Sequence, residues 1–85
     1  MNLKARDVKR AVSGGGLIRI KFDRAQEEDV KAIVTGALVG MQRPTKIKFM
    51  DNRTAGKRVA RIHYENGDYE EIRKRLENRG VSFER

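Results

Sequence analysis

The chain has 85 residues, no cysteine and a formal net charge of +8, with a pI near 10.3. This length predicts one domain that buries only about 60 to 65% of its unfolded surface, and the absence of cysteine excludes disulfides and cysteine-ligated metal sites. Because the sequence has no stretch of about 18 apolar residues and no apolar signal segment, we expect a soluble cytoplasmic protein with no membrane partner.

The excess of positive charge is the strongest feature of the composition. Such an excess attracts phosphate backbones and other polyanions, and it is not required for folding. Many small proteins are nevertheless basic for solubility alone. The placement of the cations must therefore decide between a functional surface and a merely solvated one.

The N-terminal segment is predicted to form a short basic helix followed by a flexible hinge. Four apolar residues within the segment 3–12 fall on one side of a helix. The run SGGG at 13–16 then favours a break in regular structure, and its position before a strand does not match a phosphate-binding loop. We therefore divide the chain into a basic helix with a Gly-rich hinge, residues 1–16, and a single domain, residues 17–85.

The segment 17–23, LIRIKFD, is predicted to be the first strand of that domain. Its residues alternate strictly between apolar and charged types. This alternation indicates a strand that is buried on one face, with Arg19 and Lys21 directed outward.

A helix is predicted to follow this strand. Residues 23–26, DRAQ, have the spacing of a capping box, and apolar residues recur at helical spacing through residues 30–41. Gly36 and Gly40 lower helix propensity, and we attribute them to a close approach between the helix and the sheet. Pro44 prevents the helix from continuing.

Two more strands are predicted to form a hairpin. Residues 45–50 and 57–64 alternate in the same way as the first strand, and the segment 51–56, DNRTAG, has the composition of a hairpin loop. The polar residues with outward parity in these strands are Lys46, Lys48, Arg61 and His63.

The last part of the chain is predicted to contain a helix and a short strand. Asp68 and Glu71 form a second capping box, and the helix they open is expected to end at Asn78 or Arg79. Gly80 fits the position just after a helix C-terminus, and residues 81–83, VSF, form the final strand.

Apart from the N-terminal helix, the predicted order of elements is βαββαβ. This order is typical of the ferredoxin-like α+β fold, a four-stranded antiparallel sheet in the order 4-1-3-2 with two helices on one face. The other face of the sheet is left open. All outward cations of the strands would share that open face, which is the step that connects fold with function.

We expect this open face to bind the phosphate backbone of duplex or structured nucleic acid, either DNA or RNA. Base recognition on single strands is not expected, because the stretch GKRVARIHY lacks the stacking aromatic residues of RNA-recognition motifs and the phenylalanines have inward parity. Three hairpin cations would extend the surface. The candidate nucleic-acid-binding residues are Arg19, Lys21, Lys46, Lys48, Arg61, His63, Arg53, Lys57 and Arg58.

Other functional classes are less well supported by the sequence. We expect no enzymatic activity, no cofactor and no metal site, because the single histidine and the two serines stand outside any catalytic pattern. The main alternative is a small regulatory protein whose basic face docks an acidic protein surface. A homodimer formed through an edge strand is compatible with either interpretation.

Overall fold

A computed structural model of the protein describes residues 3–10, 15–41, 46–65 and 67–84. The strands in these ranges are β1 (Leu3–Arg10), β2 (Gly16–Asp23), β3 (Lys46–Asp51), β4 (Lys57–Tyr64) and β5 (Val81–Phe83). The helices are α1 (Glu27–Leu38), which a short 3-10 turn (Arg24–Gln26) precedes, and α2 (Tyr69–Glu77). No helix within the described ranges is long and apolar enough to cross a membrane.

The strands form one five-stranded mixed sheet in the order β3-β4-β2-β1-β5. β1 and β2 form an antiparallel hairpin, and β4 pairs antiparallel with both β2 and β3. β5 lies beside β1 and runs parallel to it. The protein is therefore a small α+β protein in which the first strand of the chain separates β2 from the last.

The prediction of an N-terminal helix is wrong, and the four-stranded ferredoxin-like sheet is wrong with it. Leu3 and Ala5 are 3% and 0% exposed, and they alternate with the exposed residues Lys4 and Arg6, as in a strand that is buried on one face. Hydrogen bonding to β2 on one side and β5 on the other offsets the weak strand propensity of this segment. Residues 11–14, which were assigned to the end of the helix and to the hinge, lie outside the described residues.

The core lies between the sheet and the two helices, which cover the same face. The largest fully buried side chains come from three strands and both helices, and they are Ile18, Ile20, Ile62, Ile72, Leu76, Val30, Val34 and Val81. Full burial of one such side chain contributes about 1.5 to 3 kcal/mol. This apolar layer fixes the parity of every strand and thereby determines which side chains point away from the helices.

The predictions for the strands and helices of residues 17–85 agree with the structure to within a few residues. The first predicted capping box is present, with the Asp23 amide donating to Gln26 Oε1 at 3.2 Å. Asp68 is the N-cap of α2 as predicted, but its side chain makes no capping hydrogen bond. The second helix ends at Glu77 with Asn78 as its C-cap. The predicted roles of Pro44 and Thr45 lie outside the described residues.

The glycines of the first helix have a different explanation from the one predicted. A Cβ atom at Gly36 would meet the guanidinium of Arg79, in the turn that follows α2, at 2.8 Å, so the close neighbour is a side chain of that turn and not the sheet. Gly40 has a φ of +82° just after α1. Gly80 has a φ of +91° just after α2, as predicted for a helix C-terminus.

Candidate functional site

The sheet face opposite the helices carries most of the cations of the strands, and we call it the basic face. Successive side chains of a strand point to opposite faces, so burial of one set against the helices exposes the other set. Six of the predicted residues lie on this face, and the first strand adds two. Its members are Lys4, Arg6, Arg19, Lys21, Lys46, Lys48, Arg61 and His63.

Four of these residues form a continuous line across the sheet, the cation row. In the strand register Arg6 lies opposite Arg19, and Arg19 lies opposite Arg61. Arg61 in turn lies opposite Lys48. With neighbouring strands about 4.8 Å apart, the row spans about 14 Å from β1 to β3.

A second line runs beside the cation row and is half cationic. Lys4 lies opposite Lys21, and Lys21 lies opposite Val59, which faces Met50 on β3. On the other side of the cation row, His63 lies between Leu17 and Lys46. The positive charge is therefore concentrated on β1 and β2 at one end and on β3 at the other.

An apolar layer lies beneath the charged groups. Leu17 and Val59 point away from the helices, yet they are only 8% and 2% exposed. Long cationic side chains cover apolar surface with their aliphatic stems while their charged ends stay in water. Arg61 Nη1 lies 3.8 Å from the sulfur of Met50, to which it donates. The guanidinium of Arg61 therefore also contacts the neighbouring strand β3.

The electrostatic environment of His63 reflects the surrounding cations. Partial burial lowers its pKa below the ordinary value of 6.5, and the positive charges of Arg61, Lys48 and Lys46 lower it further. Each cause disfavours the protonated imidazole. His63 is therefore neutral near pH 7 and adds no permanent charge to the basic face.

Acidic residues lie only at the margins of the described part of this face. Asp23 forms an ion pair with Lys57 at the end of β2. Glu84 follows β5, where its backbone amide donates to the carbonyl of Ala5 at 2.8 Å, and it borders a depression that Lys4 and other cations line. Among the described residues, no acidic side chain forms an ion pair with a member of the cation row.

The three hairpin cations predicted for the site are not brought together. Arg53 lines a depression of about 580 Å³ that Arg19 and Arg61 also line. Lys57 has outward parity, but its charge is paired with Asp23.

Arg58 lies on the helix side of the sheet and is not part of the basic face. Its Nε donates to Glu27 Oε1 at 2.5 Å, and its Nη1 donates to Asp51 Oδ1 at 3.1 Å. These hydrogen bonds, that to Asp51 first, raise the pKa of Arg58 above its ordinary value. Arg58 therefore holds the β3–β4 hairpin to α1.

Sequence reasoning missed Lys4 and Arg6, which complete the cation row at its β1 end. The signal for them was present, because Leu3, Lys4, Ala5 and Arg6 alternate between apolar and cationic residues. Four residues are a short run, and the apolar spacing from Leu3 to Val12 also fits a helix. Hydrogen bonding to β2 and β5 stabilises the strand conformation of this segment over the helix.

The aromatic rings of the described strands lie on the helix side, as their parity predicts. Phe22 is 3% exposed and makes an edge contact with Phe49, with 6.1 Å between the ring centroids. Lys31 of α1 lies over the Phe49 ring, and Phe83 packs against Tyr69 of α2. The described part of the basic face therefore has no Phe, Tyr or Trp ring for base stacking, and His63 supplies a single imidazole.

In the described ranges, histidine and acidic side chains do not gather into a group of three or more that would hold a metal ion. The chain was compared with protein-family models, with curated proteins and with solved structures, and none of these comparisons found a match.

Proposed function

We propose that this protein binds the phosphate backbone of duplex or structured nucleic acid through its basic face, without catalysis and with little base specificity. The observation that carries the proposal is the cation row, in which four permanent positive charges lie directly opposite one another on four neighbouring strands. Like charges that face each other across strands destabilise a sheet by a few tenths to about 1 kcal/mol per pair. Folding alone therefore does not favour this arrangement. A bound polyanion would neutralise the charges and so remove the repulsion between them.

The shape of the basic face favours a backbone over exposed bases. Single-stranded nucleic acids are bound largely by aromatic stacking, for which the described part of this face offers only the imidazole of His63. The cation row spans about 14 Å, and the major groove of B-form DNA is about 12 Å wide. The row is thus long enough to contact phosphates on both sides of a groove, and contacts of this kind position a duplex without reading its sequence.

Docking onto an acidic protein surface is the alternative function. Stable protein interfaces generally have a well-packed apolar centre within a polar rim. Leu17 and Val59 point to the basic face, but they are almost fully buried, so they offer a partner little apolar area. Edge-to-edge pairing of β3 between two copies is opposed by Lys46 and Lys48 on that edge. These features favour nucleic acid over a protein partner.

Backbone amide NMR shifts during titration with a duplex of about 16 base pairs, as DNA and as RNA, test the proposal. At about 50 mM salt we expect the shifts to concentrate in β1, β2, β4 and β3, while α1 and α2 change little, because phosphate contacts are strong at low ionic strength. A poly-glutamate peptide serves as the competing acidic partner. Shifts confined to the helices, or shifts with the peptide but not with either duplex, would contradict the proposal.

A further inference from the structure

One end of the basic face contains four cations in a compact arrangement, which we call the basic square: Lys4, Arg6, Arg19 and Lys21. Lys4 and Arg6 are two residues apart on β1, and they lie directly opposite Lys21 and Arg19 on β2. Cα atoms that face each other in an antiparallel pair are about 4.5 to 5.5 Å apart, and residues two apart along a strand are separated by about 6.8 Å. Two like-charged pairs are thus held on adjacent strands.

The basic square surrounds a depression in the surface. The depression has a volume of about 390 Å³, and its lining includes all four cations and Val59. Val59 is 2% exposed, so the cations supply most of the surface that a ligand would meet. Lys57 also borders the depression, but its ion pair with Asp23 leaves it less charge to offer a ligand.

The charges of the square exceed what one phosphate group neutralises. A phosphate monoester carries about 1.5 to 2 negative charges at pH 7, against four permanent positive charges in the square. Glu84 borders the same depression but forms no ion pair with these four cations within the described ranges. A ligand that matches the site must therefore hold several negative charges within a few ångströms.

We propose that the basic square is a binding site for linked phosphates, such as a triphosphate group, whether free or at the end of a nucleic-acid strand. This inference goes beyond backbone binding, because the ligand is compact and its charges are concentrated at one end of the basic face. The amino and guanidinium groups donate charge-assisted hydrogen bonds to the phosphate oxygens, which are the strongest class of hydrogen bond available here. Glu84 opposes the ligand and limits its affinity.

Calorimetric titration with inorganic tripolyphosphate, and separately with orthophosphate at equal ionic strength, tests the site. The double variant Lys4→Gln/Lys21→Gln removes one side of the square. The matched control, Lys46→Gln/Lys48→Gln, removes the same charge from the same face at its β3 end. We expect tripolyphosphate to bind at least about tenfold more tightly than orthophosphate, and we expect the first variant, but not the control, to weaken it by at least about tenfold.

Equal weakening in both double variants would overturn the proposal, since it would show that only net charge matters. Equal affinity for the two anions, or no binding of tripolyphosphate to the unaltered protein, would overturn it as well. Duplex binding is measured on the same proteins. If the duplex binds but tripolyphosphate does not, only the basic square is refuted. If tripolyphosphate binds but the duplex does not, only the backbone proposal is refuted.

Two further arms complete the test. Glu84→Gln removes the opposing carboxylate without touching the four cations, so we expect it to tighten tripolyphosphate binding by about threefold to tenfold; unchanged or weaker binding contradicts the assigned geometry. A short oligonucleotide with a 5′-triphosphate, compared with the same strand bearing a 5′-hydroxyl, identifies the source of the phosphates. Binding of the triphosphorylated strand at least about tenfold more tightly than of the 5′-hydroxyl strand assigns the site to strand ends, and equal binding of the two strands assigns it to free polyphosphate.

Discussion

Replacing Arg19 and Arg61 by glutamine tests the cation row most directly. These two residues face each other at the centre of the sheet, on β2 and β4. Glutamine keeps a polar side chain with part of the aliphatic stem but removes both charges. If the row contacts nucleic acid, the variant loses two phosphate contacts while the fold is retained.

The expected magnitude follows from the number of phosphates that the face neutralises. The four members of the row alone predict a slope of log affinity against log salt of about −3.6, and all seven permanent cations of the basic face predict about −6.3. Loss of two contacts makes the slope less negative by about 1.8 and weakens binding by about 60-fold at 0.1 M salt. The melting temperature should change little, because relief of the like-charge repulsion offsets the loss of stem packing over Val59 to within about 1 kcal/mol.

Fluorescence anisotropy with a labelled duplex of about 20 base pairs, at salt concentrations between about 50 and 200 mM, measures both quantities. The control variant is Arg73→Gln/Lys74→Gln, which removes the same charge from α2 on the far side of the sheet. We expect the control to keep the slope of the unaltered protein. An unchanged slope in the row variant, or the same change in slope in both variants, would refute the assignment of the row as the contact surface.

Three further outcomes are expected. Gly15→Ala lowers the free energy of unfolding by about 1 to 3 kcal/mol in urea titrations, because the added Cβ would lie 1.8 Å from the carbonyl oxygen of Tyr64. Gly36→Ala, in contrast, leaves stability unchanged or raises it by up to about 1 kcal/mol, because only the mobile end of the Arg79 side chain must shift and alanine favours the helix. His63 is protonated more readily in the unfolded state than in the folded state, so stability falls as pH decreases below about 6.5, and His63→Gln removes this loss between pH 8 and pH 5.

The following results would contradict these predictions. Equal effects of the two alanine substitutions would show that the backbone contact at Gly15 is not a constraint. An identical dependence of stability on pH in the unaltered protein and in His63→Gln would show that the cations around His63 do not disfavour its protonation.

Local signals in the sequence were sufficient for most of the secondary structure. Strict alternation in the β2 segment identified its buried and exposed faces, and the same alternation placed Lys48 and Arg61 on the exposed side of the hairpin. The capping residues marked the 3-10 turn that leads into α1 and the N-cap position of α2, although Asp68 makes no side-chain capping hydrogen bond there. The placement of the six predicted residues on one face follows from this parity, whereas their role in binding stays a prediction.

The first strand was not predictable from local signals, because the alternation from Leu3 to Arg6 fits a strand while the apolar spacing from Leu3 to Val12 fits a helix. Its structure depends on partners that are distant in sequence, since Leu3 pairs with Val81. Arg58 was misplaced for a different reason. It was grouped with the hairpin cations that would extend the surface, although the predicted strand 57–64 already contains it; its inward parity in β4 places it beside Glu27, with which it pairs.

The position of β1 links the integrity of the fold to the proposed surface. β5 has β1 as its only neighbour in the described sheet, and β1 also carries Lys4 and Arg6. Detachment of this one strand would leave β5 without a hydrogen-bonding partner and would remove two charges from the surface in the same event.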